Sequence, residues 1–304
     1  MKRSFLAACS IPLILLAFSR HAGTAGSNSC QHAVPDPLTN TLLWKISGNH
    51  LKQPSYLFGT MHVLCTRDAI LSDSLKNVIR NCNEIYFEID LDDMNGMFQS
   101  MKYMRMNDSK KLSDLLTPGD YNKVKSYFEK QGSILPFSML ERFKPLLISS
   151  LVEESGLDCQ TTNGMELVIQ QEAHAQSKKI NGLETVEFQA GLFDSIPYDR
   201  QAQDLVNYID SVDTYKKTTS ELVSVYLKQD LEKIDELTRS GDASIANYID
   251  LLLYNRSRKW ADALTDLLPQ KSLLIAVGAG HLPGDNGLIN LLKKRGFVLT
   301  PVKN

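Results

Sequence analysis

No basic block, no low-complexity tract and no short fixed-period repeat interrupts this sequence, and beyond Phe18 no apolar run is long enough to span a bilayer. Each absence closes a class. With 33 basic against 35 acidic side chains, a formal charge of −2, the chain has no electrostatic footprint for nucleic acid. Without a repeat it is no solenoid, and without a later apolar run its body reads as one soluble unit. The familiar catalytic signatures are missing too: there is no His-Glu-x-x-His, no Gly-x-x-x-x-Gly-Lys, no Gly-x-Ser-x-Gly and no Cys-x-x-Cys. What is present is an ordinary globular composition, 43% hydrophobic and 22% charged over 304 residues, enough to bury a core without disulfides or metals.

The N-terminus stands apart. Lys2 and Arg3 precede an apolar stretch from Phe5 to Phe18, followed by the small residues Ala22 to Gly26, the pattern of a secretory signal peptide. Residues 1–25 are expected to be removed after Ala25; an uncleaved anchor is the competing reading, and Cys9 precedes most of the apolar run, which argues against lipidation. Cleavage removes Lys2, Arg3 and Arg20 and no acid, taking the net charge from −2 to −5 over residues 26–304. It leaves Cys30, Cys65, Cys82 and Cys159 in a compartment where disulfides persist. Cys65 and Cys159 form the favoured pair, each in a polar connection beside an element, while Cys82 ends a helix and reads as a buried thiol; four free cysteines are the alternative.

The body opens with strand-like runs at Leu42–Ile46 and Ser55–Phe58 around a turn-rich stretch, a hairpin. Helical spacing follows over Ser72–Asn81, and Glu84–Leu91 alternates as a strand. From about Asn95 to Leu268 the pattern is mostly amphipathic helix, punctuated by proline and glycine. Strand returns at Ser272–Val277, then a helix from about Asp285 to Lys294 and a closing strand Phe297–Val302. The expected fold is α/β or α+β: one domain whose central sheet is built from N- and C-terminal strands around a large helical middle.

Two strand runs end alike, in Gly59-Thr-Met-His62 and Gly278-Ala-Gly-His281. Glycine at a strand end permits close approach, and an imidazole just beyond it projects at the sheet rim, where open sheets build their sites. One such His alone reads as a hydrogen-bonded core residue; the repetition makes a site. Glu88, inside the strand on the face of Tyr86 and Asp90, is the third element, because a carboxylate in a central strand needs a partner. Were these strands neighbours, His62, Glu88 and His281 would form a ligand set for a divalent ion with positions left for water and substrate; the alternative reading of Glu88 is an edge-strand carboxylate facing solvent or paired with an arginine.

Over nearly all of residues 26–304 the sequence resembles the TraB/PrgY/GumN family, which also contains the Tiki metalloproteases. The residues carrying the resemblance are Tyr56 to His62, Phe87 to Asp90, Gly182 to Gln189, Asn255-Arg256 and Gly278 to Gly284. It implies a compact α/β fold in which both Gly-x-x-His motifs, with Gly59 and Gly278, and the strand glutamate line one site, Arg256 being a further polar member. The Tiki branch implies a peptidase dependent on a divalent metal such as manganese or cobalt; other branches look like pheromone-shutdown or export-associated proteins. Tiki-like proteins carry a C-terminal membrane anchor that this sequence does not show, which puts a membrane-bound substrate in doubt.

Arg256 reads either as a helix-surface cation or as an anchor for a substrate carboxylate or developing oxyanion. Glu166, Glu184 and Glu187 read as caps or solvated carboxylates outside the metal shell, and His174 as a residue of a wet helical face. The expected function is an exported metal-dependent hydrolase acting on a peptide or protein, periplasmic or extracellular, with Glu88 as ligand or general base. The alternative is a non-catalytic exported module that holds a peptide or a haem in the same cleft.

Overall fold

A computed structural model of the chain describes residues 40–132, 135–239 and 248–304. The expected signal peptide and Cys30 lie outside the described residues. The hairpin forms as the turn chemistry requires: β1 (Leu43–Gly48) pairs antiparallel with β2 (Ser55–Thr60), Leu43 facing Phe58. A two-residue strand β3 (Leu64–Cys65) follows, then the helix Asp73–Asn81, capped by the Ser72 hydroxyl, which accepts from the Leu75 amide at 3.0 Å. The alternating run becomes β4 (Glu84–Ile89), and the chain closes with β7 (Leu273–Gly278) and β8 (Phe297–Pro301).

The middle is helical but not wholly so. It contributes β5 (Thr162–Asn163), paired with β3, and β6 (Lys179–Glu184), which joins the main sheet beside β4. The sheet is built from N- and C-terminal strands as expected, with one edge strand added from the helical middle. Lys179–Glu184 escapes a reading by alternation because Asn181 and Gly182 interrupt its apolar residues and it lies at the sheet's edge, where only Ile180 is fully buried.

Among the described residues six strands form the main sheet in the order β6-β4-β7-β2-β1-β8. The pairs β6–β4, β4–β7 and β7–β2 are parallel, and β1 runs against both of its neighbours. β7 sits third in this order, and Leu273 to Val277 are completely buried, as suits a parallel strand covered on both faces. The mixed α/β chain folds as one compact domain. One apolar core surrounds the sheet and includes Leu57, Ile85, Ile275 and Trp260; a second, mostly helical cluster gathers Phe128, Phe137, Ile148, Phe193 and Leu205 from the middle of the chain. A disulfide joins Cys65 to Cys159, as favoured, and Cys82 is a buried free thiol. No helix among the described residues is long and apolar enough to cross a membrane.

Candidate functional site

Three adjacent parallel strands, β4, β7 and β2, end at the same edge, and each delivers one side chain there. The β2–β7 register sets Thr60 opposite Gly278, so His62 and His281 leave neighbouring strands just past their ends. On the other side of β7, Phe87 faces Ala276, which brings Glu88 level with the end of β7; the Gly278 amide donates to Glu88 Oε1 at 2.9 Å. A methyl group placed on Gly278 would meet Glu88 Oε1 at 3.2 Å, His281 Cδ2 at 3.7 Å and His62 Nε2 at 3.8 Å. The three side chains thus border one small space that exists because residue 278 has no side chain. Gly59 has a different place: a side chain there would strike Ala279 and Leu282 at 3.1 Å, so it allows β2 to approach the turn after β7.

Each of the three groups is held from behind. His62 Nδ1 lies 2.7 Å from Glu166 Oε1, both side chains nearly buried. Burial opposes charging of the imidazole, but the charge and hydrogen bond of Glu166, with the charge of Glu88, outweigh it and push His62 up to about 9. For Glu166 burial acts upward, and the charge and hydrogen bond of His62 overcome it to hold the carboxylate below its usual range. His281 is 2% exposed, and its Nδ1 lies 2.9 Å from the Ser257 hydroxyl. That hydroxyl donates to the Leu253 carbonyl at 3.1 Å, so its oxygen accepts from Nδ1–H, and His281 presents the lone pair of Nε2. Burial first, then the charges of Arg256 and His62, bring His281 down to about 3: it is neutral.

Glu88 is held most tightly. Its Oε2 accepts from Arg256 Nη2 at 2.6 Å and from Gln189 Nε2 at 3.0 Å. Burial would raise it, but Arg256, then His281, His62 and the Gly278 amide, hold it far below the ordinary carboxylate range. Arg256 is 1% exposed, which removes the helix-surface reading. Its Nε and Nη2 donate to Glu184 at 2.8 to 3.2 Å, and Nη1 donates to the Leu252 carbonyl at 3.0 Å and faces His281 Nε2 at 3.4 Å. Four of its five donors are engaged by Glu184, Glu88 and the Leu252 carbonyl, and the fifth faces His281 Nε2, so the guanidinium is turned to its protein partners and braces Glu88. The helix bearing it explains the aim. A π-helical turn, Asp250–Tyr254, precedes the α-helix Asn255–Leu267, and carbonyls of that turn accept from both Arg256 and Ser257. The Trp260 ring packs 4.3 Å from His281 and 4.7 Å from the Arg256 guanidinium.

Four residues of this site escape the sequence reading. Glu166 does lie in the first turn of its helix, Met165–Ala175, but it is 7% exposed and bound to His62, so the solvated reading fails. Glu184 is buried against Arg256, not solvated. Gln189 and Ser257 complete the set. The available signals were the carboxylate two residues after Gly164 and the run Gly182 to Gln189, which holds both Glu184 and Gln189. Glu187 carries no such contact, and His174 is exposed and paired with Asp92 at 2.9 Å, on the wet face expected of it.

A narrow cavity of about 60 Å³ adjoins the three groups, lined also by Met61, Glu153, Thr219, Leu222, Tyr226, Ile234 and Leu253. Among the described residues no three His, Cys, Asp or Glu side chains are drawn together at metal-binding distances. The donor chemistry nevertheless fits a divalent ion: Glu88 Oε1, His62 Nε2 and the Cδ2 edge of His281 border the space at Gly278, and an ion there would displace the Nε2 proton of His62 and the 3.4 Å approach of Arg256 Nη1 to His281 Nε2.

A mixed sheet with two imidazoles and a buried, arginine-held glutamate at the ends of three parallel strands defines the class of this protein. Residues 42–301 match the model of the TraB/PrgY/gumN family, and the chain belongs to that family. Among curated relatives it is 25% identical to Metalloprotease TIKI1 of Danio rerio, covering 98% of this chain and 70% of the relative. It is 23% identical to Metalloprotease TIKI2 of Danio rerio, covering 89% and 62%, and 23% identical to Metalloprotease TIKI1 of Homo sapiens, covering 90% and 64%. The chain thus spans about two thirds of the length of these relatives. No solved structure matches it.

Proposed function

We propose that the chain is an exported metal-dependent hydrolase of peptide bonds, with His62, Glu88 and His281 holding the ion. The observation that carries the reading is the cradle at Gly278, where these three side chains meet although 219 positions separate His62 from His281. The names of the relatives support the reaction class. A bound divalent ion such as manganese or cobalt supplies Lewis acidity toward a peptide carbonyl and makes water nucleophilic near neutral pH.

The protein's own groups do the rest. Glu166 Oε1, 2.7 Å from His62 Nδ1, pairs with the imidazole and leaves its Nε2 on the Gly278 side. Ser257 engages Nδ1 of His281. Arg256 keeps Glu88 ionised through Oε2, and Oε1, which accepts the Gly278 amide, is its oxygen at the cleft. A carboxylate held so far below its ordinary range is a poor proton acceptor, which favours Glu88 as ligand over general base. The cavity of about 60 Å³ is too small for a porphyrin and gives no support to a haem.

Metal analysis of the purified protein, with peptide cleavage measured with and without chelator, tests the proposal. Metal should co-purify, cleavage should stop on chelation, and His62→Ala should abolish both. Equal cleavage by wild type and His62→Ala rejects it.

A further inference from the structure

Glu153 has no part in holding His62, Glu88 or His281, yet it lines the same cavity. It is 4% exposed, and its Oε2 has no hydrogen-bond partner. The other side of the carboxyl is engaged by Tyr208, whose ring stacks on Tyr215 at 3.7 Å, so the group is held by the helical layer and is not free to swing out. An unpartnered buried carboxyl oxygen is costly, and nothing in the fold requires one here: the residue stands in the last turn of the helix Pro145–Ser155, where neighbouring Val152 packs into the apolar cluster. The end of a helix is the negative pole of its dipole, a place that disfavours a carboxylate and favours a cation. The surrounding cavity walls are largely aliphatic, from Leu222, Ile234 and Leu253, with Tyr226 spent on the Gly59 carbonyl at 3.0 Å.

A hydrocarbon-walled slot with one unsatisfied acidic oxygen suits a ligand that is aliphatic along its length and cationic at its tip. We propose that Glu153 is the specificity-determining residue of the cleft and receives a primary ammonium group carried on an aliphatic stem. Two sources share that chemistry, a lysine side chain and an unblocked peptide N-terminus. Burial pushes the empty carboxyl well above its ordinary range, and an arriving ammonium favours its ionised form. This inference rests on the reading of the cleft as a peptide site.

Binding and turnover separate the two. Three peptide mixtures, randomised at flanking positions, carry at a fixed central position lysine with an acetylated N-terminus, norleucine with an acetylated N-terminus, or norleucine with a free N-terminus. Affinity is measured by fluorescence anisotropy in the presence of chelator, and cleavage by mass spectrometry with manganese or cobalt added. The wild type should bind one amine-bearing mixture about tenfold more tightly than the acetylated norleucine mixture, the favoured arm naming the source. Glu153→Gln keeps an acceptor for Tyr208 and should bring that preference within about twofold, with affinity for the acetylated norleucine mixture retained. Equal binding of all three mixtures by wild type overturns the inference without need of a variant, and so does a preference that survives in Glu153→Gln. A Glu153-dependent preference without cleavage would sink the hydrolase reading alone; cleavage without that preference would sink this one alone.

Discussion

Arg256 shows how a single side chain sets the state of this site. Its guanidinium neutralises two buried carboxylates, Glu88 and Glu184, at 2.6 and 2.8 Å. Truncation leaves both charges uncompensated, so Arg256→Met is expected to lose roughly 3–5 kcal/mol in urea denaturation at neutral pH, and adding Glu88→Gln and Glu184→Gln should recover part of it. Gly278 makes a cleaner probe of the cradle. Its φ of −48° is open to alanine, so Gly278→Ala should leave the metal-free fold within about 1 kcal/mol of wild type while its Cβ, 3.2 Å from Glu88 Oε1, blocks the space where the ion is proposed. Unchanged stabilisation of Gly278→Ala by added manganese or cobalt would refute that placement. The histidines predict a pH profile for the metal-free protein. His62, raised from 6.5 to about 9, gives stability that is full below 6.5 and is lost as pH climbs through about 9. His281, lowered from 6.5 to about 3, gives stability present above 6.5 and lost as pH falls toward about 3. These two groups therefore favour a maximum near pH 6.5, with Glu88 and Glu166 adding to the acid limb. His62→Gln should flatten the alkaline limb and His281→Gln the acid one, as read from urea midpoints across the range.

At the scale of elements, the disulfide closes the site from the helical side. Cys65 lies three residues after His62, and Cys159 precedes the short strand and glycine that lead into Glu166, so the bond ties together the two segments whose side chains form the His62–Glu166 pair. It spans 94 residues, for which chain entropy gives about 4–5 kcal/mol. Reduction, or replacement of both cysteines by serine, should lower the unfolding free energy by that order and weaken metal uptake, with a thiol assay confirming that Cys82 stays protected until unfolding. The elements themselves were unevenly legible. The hairpin, β4 and β7 announce themselves by local pattern: turn residues, alternation and an unbroken apolar run. β6 does not, because an edge strand with Asn181 and Gly182 at its centre owes its conformation to pairing with β4, a partner about ninety-five positions away.

For the whole molecule, the sheet and the helical layer divide the work. The sheet edge supplies His62, Glu88 and His281; the helices supply Glu166, Arg256, Ser257 and Glu153 from behind and around them. If an ion binds the folded state alone, it stabilises the entire domain by about 2.7 kcal/mol at a hundredfold excess over its dissociation constant. Manganese or cobalt should therefore raise the melting temperature of chelator-treated protein, and His281→Ala should abolish the rise.

The sequence by itself determined that glycine-histidine turns follow two strands and that an acid sits in a third, because strand patterning, turn chemistry and the period of alternation are local properties of the chain. It also carried the resemblance that the family match bears out. Only the tertiary structure decided that these three strands are parallel neighbours, that Gly278 faces the shared space while Gly59 packs elsewhere, and that Glu166, Glu184 and Arg256 are buried partners in place of solvated charges. The physical reason is that the cost of burying a charge, and the counter-charge that offsets it, are fixed by what lies across space from a residue, and no spacing along the chain records that.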